Sequence, residues 1–341
     1  MVYNIEKGRR RIMDLLDRRG LKNAAGEALS QSPGNPKRII LIHTAVSLGI
    51  MLLVVVLDFI LSKQIDNTVG LSGLGTRSVL TTIQSLLQMV QVAVLPFWEI
   101  GYLFAAKKMA VRKPAEPDDL LEGFRHFGPF FRAILLKSLI FVIIGFICTY
   151  VATQIFVLTP WAAPMMDAMA PVLSDPTLME SAAGEEALMQ AMDQAMDDAM
   201  IPLLIITGIL MLIAYVPLSY RLRLINYSLL EHPEEGALWA FRRSFRLMRG
   251  NCLEFFLLDV SFWWYYLLQL LVNAICYGDL LLSFVGINLP WSEDVSFFLF
   301  YIPALAGQFV LYFLARNQVE VTYVTAYHVL SPYQPAQPEN Q

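Results

Sequence analysis

The chain has 341 residues, 56% hydrophobic and 16% charged, with a formal net charge of −4 and a mean hydropathy of +0.52. A soluble domain of this length carries about 25% charged residues, so too little polar surface exists to coat a water-soluble fold, and lipid must cover the rest. The three cysteines, Cys148, Cys252 and Cys276, lie in or beside apolar segments and argue against a disulfide framework or a CxxC-type metal or redox site.

Residues 1–38 form a basic segment, read as cytoplasmic. A membrane-spanning helix needs roughly 20 mostly apolar residues. Six segments meet that test, near 39–61, 81–105, 133–158, 201–219, 254–277 and 295–315. The fold class is therefore all-α: a polytopic membrane helix bundle of six transmembrane helices with short amphipathic interfacial helices. The membrane domain covers 39–330, and a polar tail covers 331–341. The first segment ends in Ser62-Lys63-Gln64 and not in an A-x-A-like cleavage site, so it reads as an anchor that stays. Gln84, Gln88 and Gln91 interrupt the second. Pro202 and Pro217 stand near the ends of the fourth, and Pro303 lies in the sixth, where membrane helices tolerate proline.

The loop at 159–200 is acidic and Met-rich, with Asp167, Asp175, Glu180, Glu185, Glu186, Asp193, Asp197 and Asp198 and no Lys or Arg. Asp175-Pro176 reads as a helix start, and 185–200 as a helix running into the fourth segment. Lys and Arg crowd the alternate connections. Lys107, Lys108, Arg112, Lys113 and Arg125 lie between segments two and three; Arg221, Arg223, Arg242, Arg243, Arg246 and Arg249 lie between four and five. By the positive-inside rule both termini and both basic loops are cytoplasmic, and the acidic loop is external.

The two basic loops resemble each other. Pro117, Asp118 and Asp119 lead into Leu120, Leu121, Phe124, Phe127 and Phe131; Pro233, Glu234 and Glu235 lead into Leu238, Phe241, Phe245 and Met248, ending at Gly250. Acidic first turns suit the helix dipole, and the apolar spacing predicts short amphipathic helices. Arg242, Arg243, Arg246 and Arg249 are candidate contacts to anionic headgroups at the cytoplasmic face; the plainer reading makes both helices packing elements between spans. Gly123-Phe124-Arg125 and Ala240-Phe241-Arg242 hint at an internal repeat.

The helix running from Ala240 to Arg249, closed by Gly250-Asn251 and followed by Phe255-Phe256-Leu257-Leu258-Asp259-Val260-Ser261-Phe262-Trp263-Trp264, resembles the bacterial membrane-protein family called domain of unknown function 975. There an S-x-x-L-M-x-G helix precedes an F-x-L-x-L-S-F-I-G-W span. Gly123-Phe124 and Tyr327 also fit the family's pattern. Trp263-Trp264 departs from its Ile-Gly, and segment 278–294 is longer than its glycine-rich turn. The resemblance implies a fold and a bacterial cytoplasmic-membrane location. It brings no catalytic residues.

Other candidate sites are few. Gln84, Gln88 and Gln91, at i, i+4 and i+7, make a polar stripe that could line a cavity or bond to neighbouring helices. Met165, Met166, Met169, Met179, Met189, Met192, Met196 and Met200 could bind a soft ion, or form an apolar seam, which is the preferred reading because no Cys or His joins them. His43, His126, His232 and His328 lack metal-ligand spacing, so no metal, cofactor or catalytic residue is expected. Asp58, Glu99, Lys137, Asp259 and Arg316 fall within a turn or two of a span end. This suggests interfacial pairs, Glu99 with Lys107 or Lys108 and Asp259 with a loop arginine. Hydrolase, Walker and dinucleotide motifs are absent, and topology explains the basic residues without nucleic acid. The leading expectation is a non-enzymatic membrane protein with a scaffold, assembly or envelope-homeostasis role and lipid partners. A small-solute transporter or channel is the alternative, and a lipid-processing enzyme using Glu99, Asp259 and Arg242 is a third.

Overall fold

A computed structural model describes residues 17–66, 74–163, 182–284 and 293–331, with Asp167, Ala170, Gly286 and Ile287 besides. Met165, Met166, Met169, Met179, the expected helix start at Asp175-Pro176 and the tail from residue 332 lie outside the described residues. So do the side chains of Met189, Met192 and Met196.

The chain is an all-α, polytopic membrane protein. Its long helices are α1 (Arg18–Gln31), α2 (Pro36–Asp66), α3 (Leu74–Ala110), α5 (Phe127–Val157) and α6 (Ala182–Leu222), with a 3₁₀ turn (Pro117–Leu121) and the one-turn α4 (Glu122–Arg125) between α3 and α5. There follow α7 (Ile225–Glu231), α8 (Gly236–Met248), α9 (Cys252–Ser261), α10 (Trp263–Cys276), α11 (Gly278–Phe284), α12 (Glu293–Leu311), a π-helical turn (Tyr312–Arg316) and α13 (Asn317–Leu330). Among the described residues, five helices are long and apolar enough to cross a membrane, or six if the bent pair α9–α10 counts as one span. The expected helix over 185–200 is present as the first part of α6.

Two expectations change. The fifth segment is not one helix: α9 and α10 bend by 70° at Phe262. The sixth does not stop at 315 but continues through the π turn to Leu330, so Arg316 lies inside the apolar run Phe298–Leu330, with about 20 Å of helix beyond it.

The helices form two compact units, one from the chain up to Phe131 together with Leu224 onward, the other Arg132–Arg223. The second unit is a helical hairpin. The Tyr215 hydroxyl donates to the Phe141 carbonyl at 2.7 Å, the Cys148 thiol faces the Leu210 carbonyl at 3.8 Å, and Phe156 packs with Ala162 and Ala199. One partner's number rises as the other's falls, so the helices are antiparallel. Phe146, Leu212 and Ile213 stay exposed, as side chains facing acyl tails must.

In the first unit α2 and α3 form a second antiparallel pair, tied by Trp98 Nε1 donating to the His43 carbonyl at 3.1 Å. Helix α1 lies along α13, where Gln318 Nε2 donates to the Lys22 carbonyl at 2.9 Å. A close backbone approach joins α3 to the first basic loop. A Cβ on Gly101 would meet the Leu120 carbonyl oxygen at 1.9 Å, and one on Gly123 would meet the Phe97 oxygen at 2.0 Å. Only glycine lets these backbones touch, as small residues do at other membrane helix contacts.

Candidate functional site

Ionisable groups inside membrane spans are the default place to look for function, and the first unit gathers several around Arg316. The π turn Tyr312–Arg316 presents this guanidinium, and π turns within α-helices concentrate at functional sites. Arg316 Nη2 donates to Glu99 Oε2 of α3. The guanidinium carbon lies 4.9 Å from the Tyr102 ring centroid and 4.4 Å from that of Tyr312. The Tyr102 hydroxyl in turn donates to Asn317 Oδ1 at 2.7 Å, and Asn317 Nδ2 to the Pro36 carbonyl at 2.9 Å. His43 stacks on Trp98, with centroids 5.8 Å apart and planes 7° apart. Its Nε2 stands 3.7 Å from Glu99 Oε1, beyond hydrogen-bond range. The Arg316 side chain is 8% exposed and that of Glu99 39%.

The expected pairing of Glu99 with Lys107 or Lys108 is therefore overturned. Lys107 Nζ donates to the Leu230 carbonyl at 3.0 Å, and Lys108 Nζ bonds Asp119 Oδ1 at 2.6 Å. Glu99 lies a full two turns before these lysines on α3, on the side that α13 covers, and the continued sixth helix brings Arg316 to it. Asp259 accepts from the Tyr323 hydroxyl, which also pairs with Tyr266 Oη at 2.7 Å.

Sequence reading missed this cluster, yet a signal was present. Tyr312, Arg316, Glu320, Tyr323, Tyr327 and Ser331 recur at the i+3/i+4 spacing of one helix face, the same test that singled out the glutamines of α3. Ending the segment at 315 hid it. A second missed contact is at the α9–α10 break. There Lys22 Nζ of α1 donates to the Ser261 carbonyl at 2.5 Å and stands 3.8 Å from the Phe262 ring centroid, satisfying a carbonyl that the broken helix leaves free. Burial pulls the Lys22 ammonium below the usual lysine range.

The glutamine stripe bonds across the α2–α3 pair. Gln84 Nε2 reaches Ser62 Oγ at 3.1 Å and Gln88 Nε2 reaches Asp58 Oδ1 at 3.2 Å; Gln91 is half-buried on the same face.

The second loop is pinned at Glu231. Its Oε2 accepts from Arg243 Nη2 at 2.9 Å and from the Tyr327 hydroxyl at 2.5 Å, and Arg243 Nη2 also donates to Ser331 Oγ at 2.7 Å. Arg243 thus separates from its three neighbours in the expected lipid-contacting set. Arg242, Arg246 and Arg249 are exposed. The buried face of α8 is Ala237, Ala240, Phe241, Ser244, Leu247 and Met248. The expected apolar stripe is therefore split, because Leu238, 64% exposed, and Phe245 turn outward beside the arginines. In the first loop, likewise, Leu120 is buried while Leu121, Phe124, Phe127 and Phe131 are exposed. In both loops the bulky apolar residues are divided, some (Phe241, Leu247, Met248 and Leu120) packed inward and the rest turned outward.

An all-α, multi-pass membrane protein with a buried arginine–carboxylate centre and outward arginines on a loop helix is the class that fold and site define. A family model described as "Protein of unknown function (DUF975)" matches residues 15–306, and the chain belongs to that family. No curated protein and no solved structure matches the chain.

Proposed function

We propose that the protein is a non-enzymatic scaffold of a bacterial cytoplasmic membrane, with both termini and both basic loops on the cytoplasmic side, where it holds anionic lipid headgroups. The observation that carries this reading is the outward face of α8. Leu238, Arg242, Phe245 and Arg249 follow one another at i, i+4, i+7 and i+11, with Arg246 beside them, and all are exposed. A face of alternating bulky apolar and guanidinium side chains suits the boundary between acyl chains and phosphates, where the former insert and the latter meet negative charge. Each arginine near an anionic leaflet contributes about 1 kcal/mol. The distribution of Lys and Arg along the chain supports the orientation. The Glu231–Arg243 bond holds α8 so that this face stays outward.

The test is lipid retention. Protein purified from membranes containing phosphatidylglycerol and phosphatidylcholine in equal amounts should keep phosphatidylglycerol preferentially in native mass spectra. Replacing Arg242, Arg246 and Arg249 together by Gln should remove that preference while leaving the fold intact. Equal retention of both lipids by the unaltered protein contradicts the proposal.

A further inference from the structure

We infer that Arg316 and His43 form an internal binding site for a small monovalent anion, which the Glu99 carboxylate occupies as a tethered stand-in. This goes beyond the scaffold reading and is independent of the lipid face. Three features separate the site from a saturated structural ion pair.

The first is unused donor capacity. Arg316 Nη1 and both ring nitrogens of His43 are fully buried and have no hydrogen-bond partner among the described residues. A carboxylate bridging purely for structure would meet arginine with both oxygens, the fork-to-fork arrangement that satisfies both sides. Here one oxygen meets Nη2, while the other stands 3.7 Å from His43 Nε2 and outside bonding range. Arg316 Nη1 and the single N–H of the neutral His43 imidazole are therefore donors left unmet, and an acceptor that reaches them is favoured.

The second feature is the contrast in burial. The cup is closed: His43 is 0% and Arg316 8% exposed, whereas the Glu99 side chain is 39% exposed. The occupant is the member of the trio with room to move, and the receptor groups are fixed.

The third is that the cup is built independently of Glu99. The guanidinium lies over the rings of Tyr102 and Tyr312. Tyr102 is anchored through Asn317 to the Pro36 carbonyl. His43 is stacked on Trp98, whose indole N–H holds the His43 carbonyl. A guanidinium at one oxygen of Glu99 and a buried imidazole near the other, loosely held one define a site for a single negative charge with a few acceptor positions. A halide or a short monocarboxylate meets that description. When such an anion enters, it takes the place of the Glu99 carboxylate against Arg316.

The experiment uses the full chain in nanodiscs of neutral phosphatidylcholine, with thermal unfolding followed as sodium chloride or sodium acetate replaces sodium gluconate at constant ionic strength. Gluconate serves as the bulky reference anion. The wild-type protein is expected to show a saturable rise in Tm with one or both small anions. Glu99→Gln, which vacates the charge without removing the side chain, should reach half-effect at a concentration at least tenfold lower. Arg316→Gln should abolish the saturable response in either background. A response to chloride alone assigns the site to small inorganic anions, and a response to acetate alone to monocarboxylates. A wild-type protein whose Tm is indifferent to both anions overturns the inference, and so does a Glu99→Gln response that survives loss of Arg316. Should Glu99→Gln fail to fold, the wild-type titration decides by itself.

Discussion

The two basic loops carry nearly the same sequence pattern, proline and acids followed by bulky apolar residues and arginine, yet they are attached in different ways. The first, Pro117–Arg125, is fixed through its backbone: Gly123 and Gly101 let it touch α3, and Asp119 locks its turn by accepting from the Glu116 N–H at 2.8 Å and from Lys108. The second, α8, is fixed through side chains, with Glu231 bridging Arg243 and Tyr327. A backbone contact tolerates no added atom, whereas a side-chain bridge can be weakened by degrees. Similar amphipathic patterns therefore specify a common location without specifying how each helix is held.

Several substitutions sharpen this contrast. The largest effect is expected at the backbone contact. Gly101→Ala or Gly123→Ala forces a methyl onto a carbonyl oxygen and should destabilise by about 3 kcal/mol or more, at or above the upper end of ordinary overpacking, as read from thermal unfolding in detergent. A change under about 0.5 kcal/mol, typical of a surface site, would show that the two backbones do not touch. Glu231→Gln keeps the shape of the bridge but removes its charge, and should lower stability by about 1–3 kcal/mol through the weakened Arg243 and Tyr327 bonds; unchanged unfolding would mean that α8 is held by its apolar face alone. Lys108→Met leaves Asp119 with its backbone partner and so should be milder, about 1 kcal/mol. Its proteolytic signature should be faster cleavage within 112–121, and an unaltered cleavage pattern counts against the lock. The smallest effect is expected from Arg242→Gln, Arg246→Gln or Arg249→Gln in neutral lipid, within about 0.5 kcal/mol each, because these side chains face outward. A larger loss in any of them would place that arginine in a packing role.

Hydropathy made the spans readable because it is local: windows within α2, within α5 and within α6 from Ala199 onward carry their own signal. Three features were not readable for the opposite reason. The break at Phe262 has neither Pro nor Gly to mark it, and the ammonium that meets its free carbonyl comes from Lys22, which is 239 residues away. The Arg316–Glu99 pair joins positions 217 apart. Polar residues of α13 depress hydropathy as though the span had ended, although Asn317, Gln318, Tyr323 and Tyr327 are spent on partners from other elements. Gly101 gave no signal in its own helix, since its requirement is set by the Leu120 carbonyl of another element. Within α8 the helix was readable, but which bulky residues turn inward was not. That choice is set by what the rest of the unit packs against Ala237, Ala240, Phe241, Ser244, Leu247 and Met248, which the helix's own pattern does not contain.

The most direct test of the lipid-facing assignment is depth. A bimane fluorophore on Phe245→Cys, after the native cysteines are replaced by serine, should be quenched by phospholipids brominated near the headgroup end of the acyl chain. Aqueous iodide should quench it little, and the same label at Arg242→Cys should respond to both. Strong iodide quenching at position 245 with no effect of brominated lipid would put α8 in water and contradict the proposed role of its outward face.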